Sequence, residues 1–137
     1  MAKILVVDDL EDMTLMIRIF LESAGHEVTT KNSSAEAHVF LEENTCEILI
    51  TDILMPGGSG FDLIGKIHDD FSNARKIPKI IAVSGGVRGL GAQTVLDAAA
   101  AKADIALKKP FTREELIAAV NTVLASDLPP ERQMVLL

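Results

Sequence analysis

Short β-branched apolar runs alternate with longer segments of helical period along this chain, and the alternation recurs five times. Such alternation is typical of βαβ units, in which helices cover the faces of a parallel sheet. The first, third and fourth runs are almost entirely apolar, as expected for central strands. The second run is more polar and is predicted to lie at an edge. The predicted strands are residues 4–7, 27–30, 47–51, 80–84 and 105–108.

Five helices are predicted between and after these strands, and several have recognisable ends. Gly25 follows the apolar stripe of the first helix as a C-terminal stop. Ser33 with Glu36, and Thr112 with Glu115, have the spacing of capping boxes that open the second and fifth helices. The fourth helix is predicted after the glycine-rich stretch SGGVRGLGAQ.

Right-handed crossovers leave few ways to wind five parallel strands. The common small solution is the flavodoxin-like, doubly wound α/β fold with strand order 2-1-3-4-5, whose site lies beyond the carboxyl ends of strands 1 and 3. We expect one domain over residues 1–125. Pro129 and Pro130 stop the last helix, so residues 126–137 are expected to form a short tail with no output domain.

Composition argues against several classes of function. The chain has 137 residues and a net charge of −7, without the basic and aromatic surface that nucleic-acid binding requires. The lone Cys46 excludes an internal disulfide, and no secretory signal pattern opens the chain. No apolar run approaches the roughly 20 residues of a membrane span. A cytoplasmic protein is therefore expected.

Polar side chains follow the predicted strands where they end. Asp8 and Asp9 follow strand 1, Asp52 follows strand 3, Ser84 ends strand 4, and Lys109 follows strand 5. The carboxyl ends of parallel strands meet at one edge of the sheet, so these residues are predicted to share a cleft.

Three carboxylates in one cleft would repel one another unless a cation neutralised them. Oxygen ligands without His or Cys suit Mg²⁺. Asp9 is expected as the direct ligand with Asp8 as its partner, while Asp52 and the backbone carbonyl of Leu54 complete the protein ligands. Neighbouring strand residues point to opposite faces, so the chain must turn at Asp8 for both carboxylates to face the ion.

Beside a bound Mg²⁺, Asp52 can act as a nucleophile toward phosphorus and form an aspartyl phosphate. The charge on the transferred oxygens would be stabilised by Lys109 and by the Ser84 hydroxyl. The sequence therefore predicts Asp52, Ser84 and Lys109 as the catalytic group.

The stretches LVVDD, ILITDILMPGGSG, IAVSG and KKPF appear in this order, and the chain from residue 3 to about 125 resembles a receiver domain of the two-component response regulators. The resemblance implies that Asp52 accepts a phosphoryl group from a phosphohistidine on a sensor histidine kinase or a phosphotransfer protein, with Mg²⁺ required. It also implies a cis peptide bond before Pro110.

One departure from the family pattern concerns signal output. The family usually has Tyr or Phe three residues before the lysine, where this chain has Ala106, and the chain contains no tyrosine. We expect output to pass through a mobile loop after Ser84 that orders on phosphorylation. An unknown downstream protein would then bind the surface formed by the predicted fourth helix, fifth strand and fifth helix. This chain is expected to be a monomer or a phosphorylation-dependent dimer.

Two other functions remain open from the sequence. Phosphatases of the haloacid-dehalogenase group use a similar set of residues, but their D-x-D nucleophile on the first strand is absent here. A pseudo-receiver with a vestigial site would act only as a scaffold, and Ala106 keeps that alternative open.

Overall fold

A parallel sheet with helices on both faces organises the chain. The computed structural model describes residues 1–53, 60–71, 77–84, 103–125 and 135–136. The strands are β1 (Lys3–Val7), β2 (Glu27–Lys31), β3 (Ile48–Asp52), β4 (Lys79–Ser84), β5 (Ile105–Lys108) and β6 (Val135–Leu136). The helices are α1 (Glu11–Ser23), α2 (Ser34–Glu43), α3 (Gly60–Phe71) and α4 (Arg113–Ala125), of which α4 is the predicted fifth helix. The predicted fourth helix and the loop before it lie outside the described residues.

The strand order is β2-β1-β3-β4-β5-β6, and neighbouring strands are parallel. The predicted flavodoxin-like order 2-1-3-4-5 is confirmed, and the more polar β2 lies at an edge. The tail adds β6 beside β5, with Val135 opposite Ile105 and Leu136 opposite Ala106. This strand was not predicted, because two residues are too few to show a period.

Alternate strand residues face two separate apolar layers, as the pleat requires. On β1, Ile4 and Val6 enter the layer covered by α1 and α4, whereas Leu5 and Val7 enter the layer covered by α2 and α3. The helix residues of the first layer include Ile17, Leu21, Leu116, Ala119, Val120 and Val123. Those of the second layer include Ala37, Leu41, Leu63, Ile64 and Ile67.

The helix ends follow the local sequence signals. Gly25 has a φ of 92°, a left-handed conformation that favours glycine at the end of α1. The Oγ of Ser33 accepts the N–H of Glu36 at 3.1 Å. At the start of α4, the Glu115 N–H donates to the Thr112 hydroxyl and the Thr112 N–H donates to the Glu115 carboxylate, which completes a capping box. In both predicted boxes, therefore, the backbone N–H of the glutamate donates to the capping hydroxyl. Within the described residues, no helix has both the length and the apolar content that crossing a membrane requires.

The register of the strands aligns the residues at the carboxyl edge of the sheet. Val7 of β1 lies opposite Thr51 of β3, so the next residues in register are Asp8 and Asp52. Asp52 in turn pairs with Val83. Farther along the sheet, Ser84, the last residue of β4, pairs with Lys108 of β5. The backbone pairing alone therefore aligns the residues at the carboxyl ends of β1, β3, β4 and β5.

A buried carboxylate lies at the opposite end of the sheet. Asp104, just before β5, is 0% exposed, and its Oδ2 accepts the N–H of Ile80 at 2.7 Å. Its Oδ1 has no hydrogen-bond partner among the described residues. Burial raises the pKa of the Asp104 carboxyl, while the hydrogen bond from Ile80 and the positive charges of Lys79 and His68 act in the opposite direction.

This raised pKa makes a prediction about stability. A carboxyl whose pKa is higher in the folded state favours folding below its unfolded pKa, and this contribution is lost as the pH rises through the folded pKa. Relative to Asp104→Asn, which cannot ionise, the wild-type protein should therefore lose stability as the pH rises from the ordinary aspartate pKa of about 4 through the raised pKa of the folded state. Urea unfolding over this pH range would measure the difference. The exposed Asp69→Asn variant is the control, and parallel pH curves for wild type and Asp104→Asn would contradict the assignment.

Candidate functional site

Three carboxylates converge at the carboxyl edge of the sheet. One oxygen from each of Asp8, Asp9 and Asp52 lies within 4.8 Å of the others. Asp8 is 2% exposed and the side chain of Asp52 is 11% exposed, whereas Asp9 is the most exposed of the three. The structure therefore brings together the acidic residues that the sequence placed on separate strand ends.

Hydrogen bonds hold both the backbone and the side chain of Asp8. Its N–H donates to the Lys31 carbonyl at 3.2 Å, and its own carbonyl accepts the Asn32 side-chain amide at 3.0 Å. Its Oδ1 accepts the N–H of Leu10 at 3.0 Å, which closes an Asx turn directly after β1. This turn is the change of direction that allows adjacent aspartates to face one cleft.

Lys109 supplies positive charge to this cluster. Its Nζ lies 2.9 Å from Asp8 Oδ2 and 3.5 Å from Asp52 Oδ2, and its side chain is 16% exposed. The peptide bond between Lys109 and Pro110 is cis, the isomer that the resemblance implied. Lys109 thus links the carboxylates at the ends of β1 and β3. Lys109 therefore contacts two of the three carboxylates in this cluster.

The donor set fits a hard divalent cation. The three groups offer only carboxylate oxygens, and their spacing allows one ion to contact all of them. Mg²⁺ prefers such oxygens and retains several waters when it binds proteins through a few carboxylates. Asp8, Asp9 and Asp52 are therefore suitable Mg²⁺ ligands.

The structure describes the remaining predicted residues unequally. The backbone of Ser84 ends β4 at the same edge as Asp52, but its side chain is outside the described part of the chain. Leu54 and the glycine-rich segment from Gly85 also lie outside it. Ala106 is 1% exposed and lies opposite Ala82 in the sheet, so a small side chain fills the position of the family's usual aromatic residue.

Asn32 contacts the site but was not predicted from the sequence. An asparagine just before a helix cap is an ordinary turn residue, and no local pattern connects it with Asp8, which is 24 positions away. Only the pairing of β1 with β2 brings the two residues together.

A flavodoxin-like sheet with an acidic cluster and a lysine at its carboxyl edge is typical of receiver domains. The family model described as the response regulator receiver domain matches residues 4–121. The chain therefore belongs to the response regulator receiver domain family of two-component systems, as the sequence resemblance indicated.

Curated relatives support this assignment. The chain is 33% identical over 134 residues to the phosphate regulon transcriptional regulatory protein PhoB of Rhizobium meliloti, covering 94% of this chain and 55% of PhoB. It is 33% identical over 129 residues to the response regulator SaeR of Staphylococcus epidermidis, covering 91% of this chain and 51% of SaeR. The chain spans about half the length of these relatives.

Solved structures show the same fold. A receiver domain protein from Clostridium thermocellum superposes with a TM-score of 0.76 at 32% identity, covering 90% of this chain and 94% of that one. The response regulator TrrA from Thermotoga maritima, solved in complex with Mg²⁺-BeF, has a TM-score of 0.76 at 27% identity, covering 90% of this chain and 99% of TrrA.

Carboxylate crowding makes a prediction about the metal-free protein. Asp9→Asn removes one of three like charges, so it should raise the melting temperature by a few degrees, as a gain of about 1 kcal/mol would do. The same variant should respond less than wild type to millimolar Mg²⁺, because ligands that bind the folded state stabilise it. Thermal melts with and without Mg²⁺ would measure both effects. Asp12→Asn, which removes a charge from the first turn of α1, should show neither.

The ion pair of Lys109 makes the opposite prediction. Lys109→Met leaves Asp8 buried without its cation, so the metal-free protein should lose on the order of 3 kcal/mol of unfolding free energy. Lys108→Met is the matched control, since Lys108 is the exposed neighbour. Urea unfolding followed by circular dichroism would measure the loss. Equal stability of the two variants would show that the Lys109–Asp8 contact is unimportant.

Proposed function

We propose that this receiver domain accepts a phosphoryl group on Asp52 in a Mg²⁺-dependent reaction. The donor would be a phosphohistidine on a sensor histidine kinase or a phosphotransfer protein. The observation that carries the proposal is the convergence of Asp8, Asp9 and Asp52 within 4.8 Å, with Lys109 Nζ 3.5 Å from Asp52 Oδ2. Receiver domains pair with histidine kinases, which supports the same donor class.

Asp52 is suited to act as the nucleophile. Its carboxylate ends β3 and retains partial exposure, so a phosphoryl donor can approach it from solvent. In the proposed step an Asp52 oxygen forms a bond to phosphorus as the phosphorus–nitrogen bond of phosphohistidine breaks. The bonding pair returns to the imidazole nitrogen. The product is an aspartyl phosphate on this chain and a free histidine on the donor.

Asp8, Asp9 and Asp52 would hold the Mg²⁺, with the backbone carbonyl of Leu54 proposed as a further ligand. When bound, the ion supplies positive charge that offsets the negative charge of the carboxylates and the phosphoryl oxygens. The Leu10 N–H and the Lys109 ammonium both donate to the Asp8 carboxylate, so this carboxylate is oriented before the ion binds. The protein thereby orients its ligands in advance.

Lys109 and Ser84 would stabilise the transferred group. The Lys109 ammonium lies within reach of both Asp8 and Asp52, so a phosphoryl group on Asp52 would enter its field. Ser84 ends the strand beside β3, and we propose its hydroxyl as a hydrogen-bond donor to a phosphoryl oxygen. Together they would complete the catalytic group with Asp52.

Signal output would occur through protein contact. With Ala106 in place of an aromatic residue, no large side chain of β5 can change position at that site. We propose a cytoplasmic domain that signals to a downstream protein through β5, α4 and the segment between β4 and β5. The name of PhoB describes a transcriptional regulator, and that role belongs to the relative.

The proposal predicts phosphorylation at a defined residue. Incubation with acetyl phosphate or phosphoramidate and Mg²⁺ should add one phosphoryl group, detected by intact-mass spectrometry. Asp52→Asn should remain unmodified because it lacks the nucleophile, and chelation of Mg²⁺ should prevent modification of the wild type. Asp69→Asn removes an exposed carboxylate on α3 and should be modified normally.

Other outcomes would identify the alternatives. A wild-type protein that remains unmodified under all conditions would be a pseudo-receiver. Many turnovers of a generic phosphate ester such as p-nitrophenyl phosphate would indicate a phosphatase. Modification that persists in Asp52→Asn would show that a different residue is the acceptor.

A further inference from the structure

We propose that Asn32 is a positioning residue for the metal centre, which holds the turn after β1 so that Asp8 and Asp9 both face Asp52. The functional meaning of this inference rests on the proposed Mg²⁺-dependent phosphorylation. The contact itself is independent of that proposal. It joins the end of β2 to the first residue after β1 through a side-chain amide.

Asn32 ends the hydrogen-bond ladder between β1 and β2. The ladder pairs Val7 with Lys31, and the Asp8 N–H extends it by donating to the Lys31 carbonyl at 3.2 Å. The next donor in a parallel ladder would be the backbone N–H of Ser33. At Ser33 the chain turns into α2, and the Asn32 Nδ2 instead donates to the Asp8 carbonyl at 3.0 Å.

The Asp8 carbonyl controls the direction in which Asp9 leaves the strand. The peptide group that joins Asp8 to Asp9 is planar, so fixing its oxygen also fixes the orientation of the Asp9 nitrogen. The Asx turn from Asp8 Oδ1 to the Leu10 N–H constrains the same segment from its other side. Two hydrogen bonds therefore define the turn on which the metal ligands depend, and Asn32 donates one of them.

A second set of contacts holds Asn32 in place. Its backbone N–H donates to Glu36 Oε2 at 3.1 Å, and the Glu36 N–H donates to the Ser33 hydroxyl at 3.1 Å. The first turn of α2 thus anchors the asparagine whose side chain orients Asp8. Residues that orient metal ligands in this way commonly change metal affinity by about 10–100-fold when they are replaced.

The direct test is Asn32→Ala. Calorimetric titration of the metal-free protein with Mg²⁺ should show affinity weakened by roughly tenfold. In phosphorylation by acetyl phosphate, the Mg²⁺ concentration for half-maximal rate should rise by a similar factor, while the rate at saturating Mg²⁺ stays within about twofold of wild type. A purely structural role would lower the melting temperature and leave the Mg²⁺ affinity of the folded protein unchanged.

Asn44→Ala is the matched control. Asn44 lies at the other end of α2, where its side-chain amide donates to the Phe40 carbonyl at 3.0 Å. This substitution removes the same type of side chain and a comparable hydrogen bond, but it does not contact Asp8. Its Mg²⁺ affinity should equal that of wild type. Equal weakening in Asn44→Ala and Asn32→Ala would overturn the proposal.

A second pair of variants tests the support of Asn32 without altering Asn32 itself. Glu36→Ala removes the acceptor for the Asn32 N–H and should weaken Mg²⁺ binding by about threefold, less than the direct substitution. Glu36→Gln retains an acceptor oxygen and should restore most of the affinity. If Glu36→Ala bound Mg²⁺ as tightly as Glu36→Gln, the anchoring role would be wrong.

Amide hydrogen exchange separates this inference from the proposed function. In the metal-free protein, the Leu10 amide should exchange faster in Asn32→Ala than in wild type or Asn44→Ala, because its acceptor Asp8 is less well held. Unchanged Leu10 exchange together with unchanged Mg²⁺ affinity would overturn the inference. Failure of the wild type to become phosphorylated would instead overturn the proposed function, and these two measurements would still decide the role of Asn32.

Discussion

Repulsion among three carboxylates at one edge of the sheet is the constraint on which the rest of this structure depends. At an effective dielectric constant of about 20, unit charges 4.8 Å apart repel one another by on the order of 3 kcal/mol. Lys109 offsets part of this cost, and hydrogen bonds satisfy Asp8 on its backbone and side chain. The remaining negative charge makes the cleft attractive to a divalent cation, so an arrangement that is unfavourable for the isolated domain favours ligand binding.

The sheet makes such a site possible because its stability comes from elsewhere. Two apolar layers bury both faces, and the parallel register aligns strand ends without requiring the site side chains to stabilise one another. The site residues then lie where strands become loops, and loops can adopt the turns that functional groups require. The Asx turn after β1 is such a case, since it interrupts the alternation of a strand just where two neighbouring carboxylates must face the same way.

Membership in the receiver family establishes the class of this protein. The way in which a signal leaves the domain depends on residues particular to this chain. Ala106 is buried opposite Ala82, so the sheet is closely packed by two small residues at the family's usual switch position. With alanine at position 106, rotation of an aromatic ring at this position cannot carry a signal from the proposed phosphorylation site. The hydrogen bond from the Asn32 side chain to the Asp8 carbonyl shows that the segment after β2 contacts the site directly.

Hydrophobic period and capping boxes are local properties, so the amino-acid sequence was enough to predict the four described helices, strands β1 to β5 and the residues at their ends. It placed Asp8, Asp9, Asp52 and Lys109 at strand ends, and the strand order then followed from handedness. Three features appear only in the folded chain: Lys109 lies closer to Asp8 than to Asp52, Asn32 donates to the Asp8 carbonyl, and a two-residue β6 extends the sheet. These features depend on register and on turns between residues far apart in the chain, which no local pattern encodes.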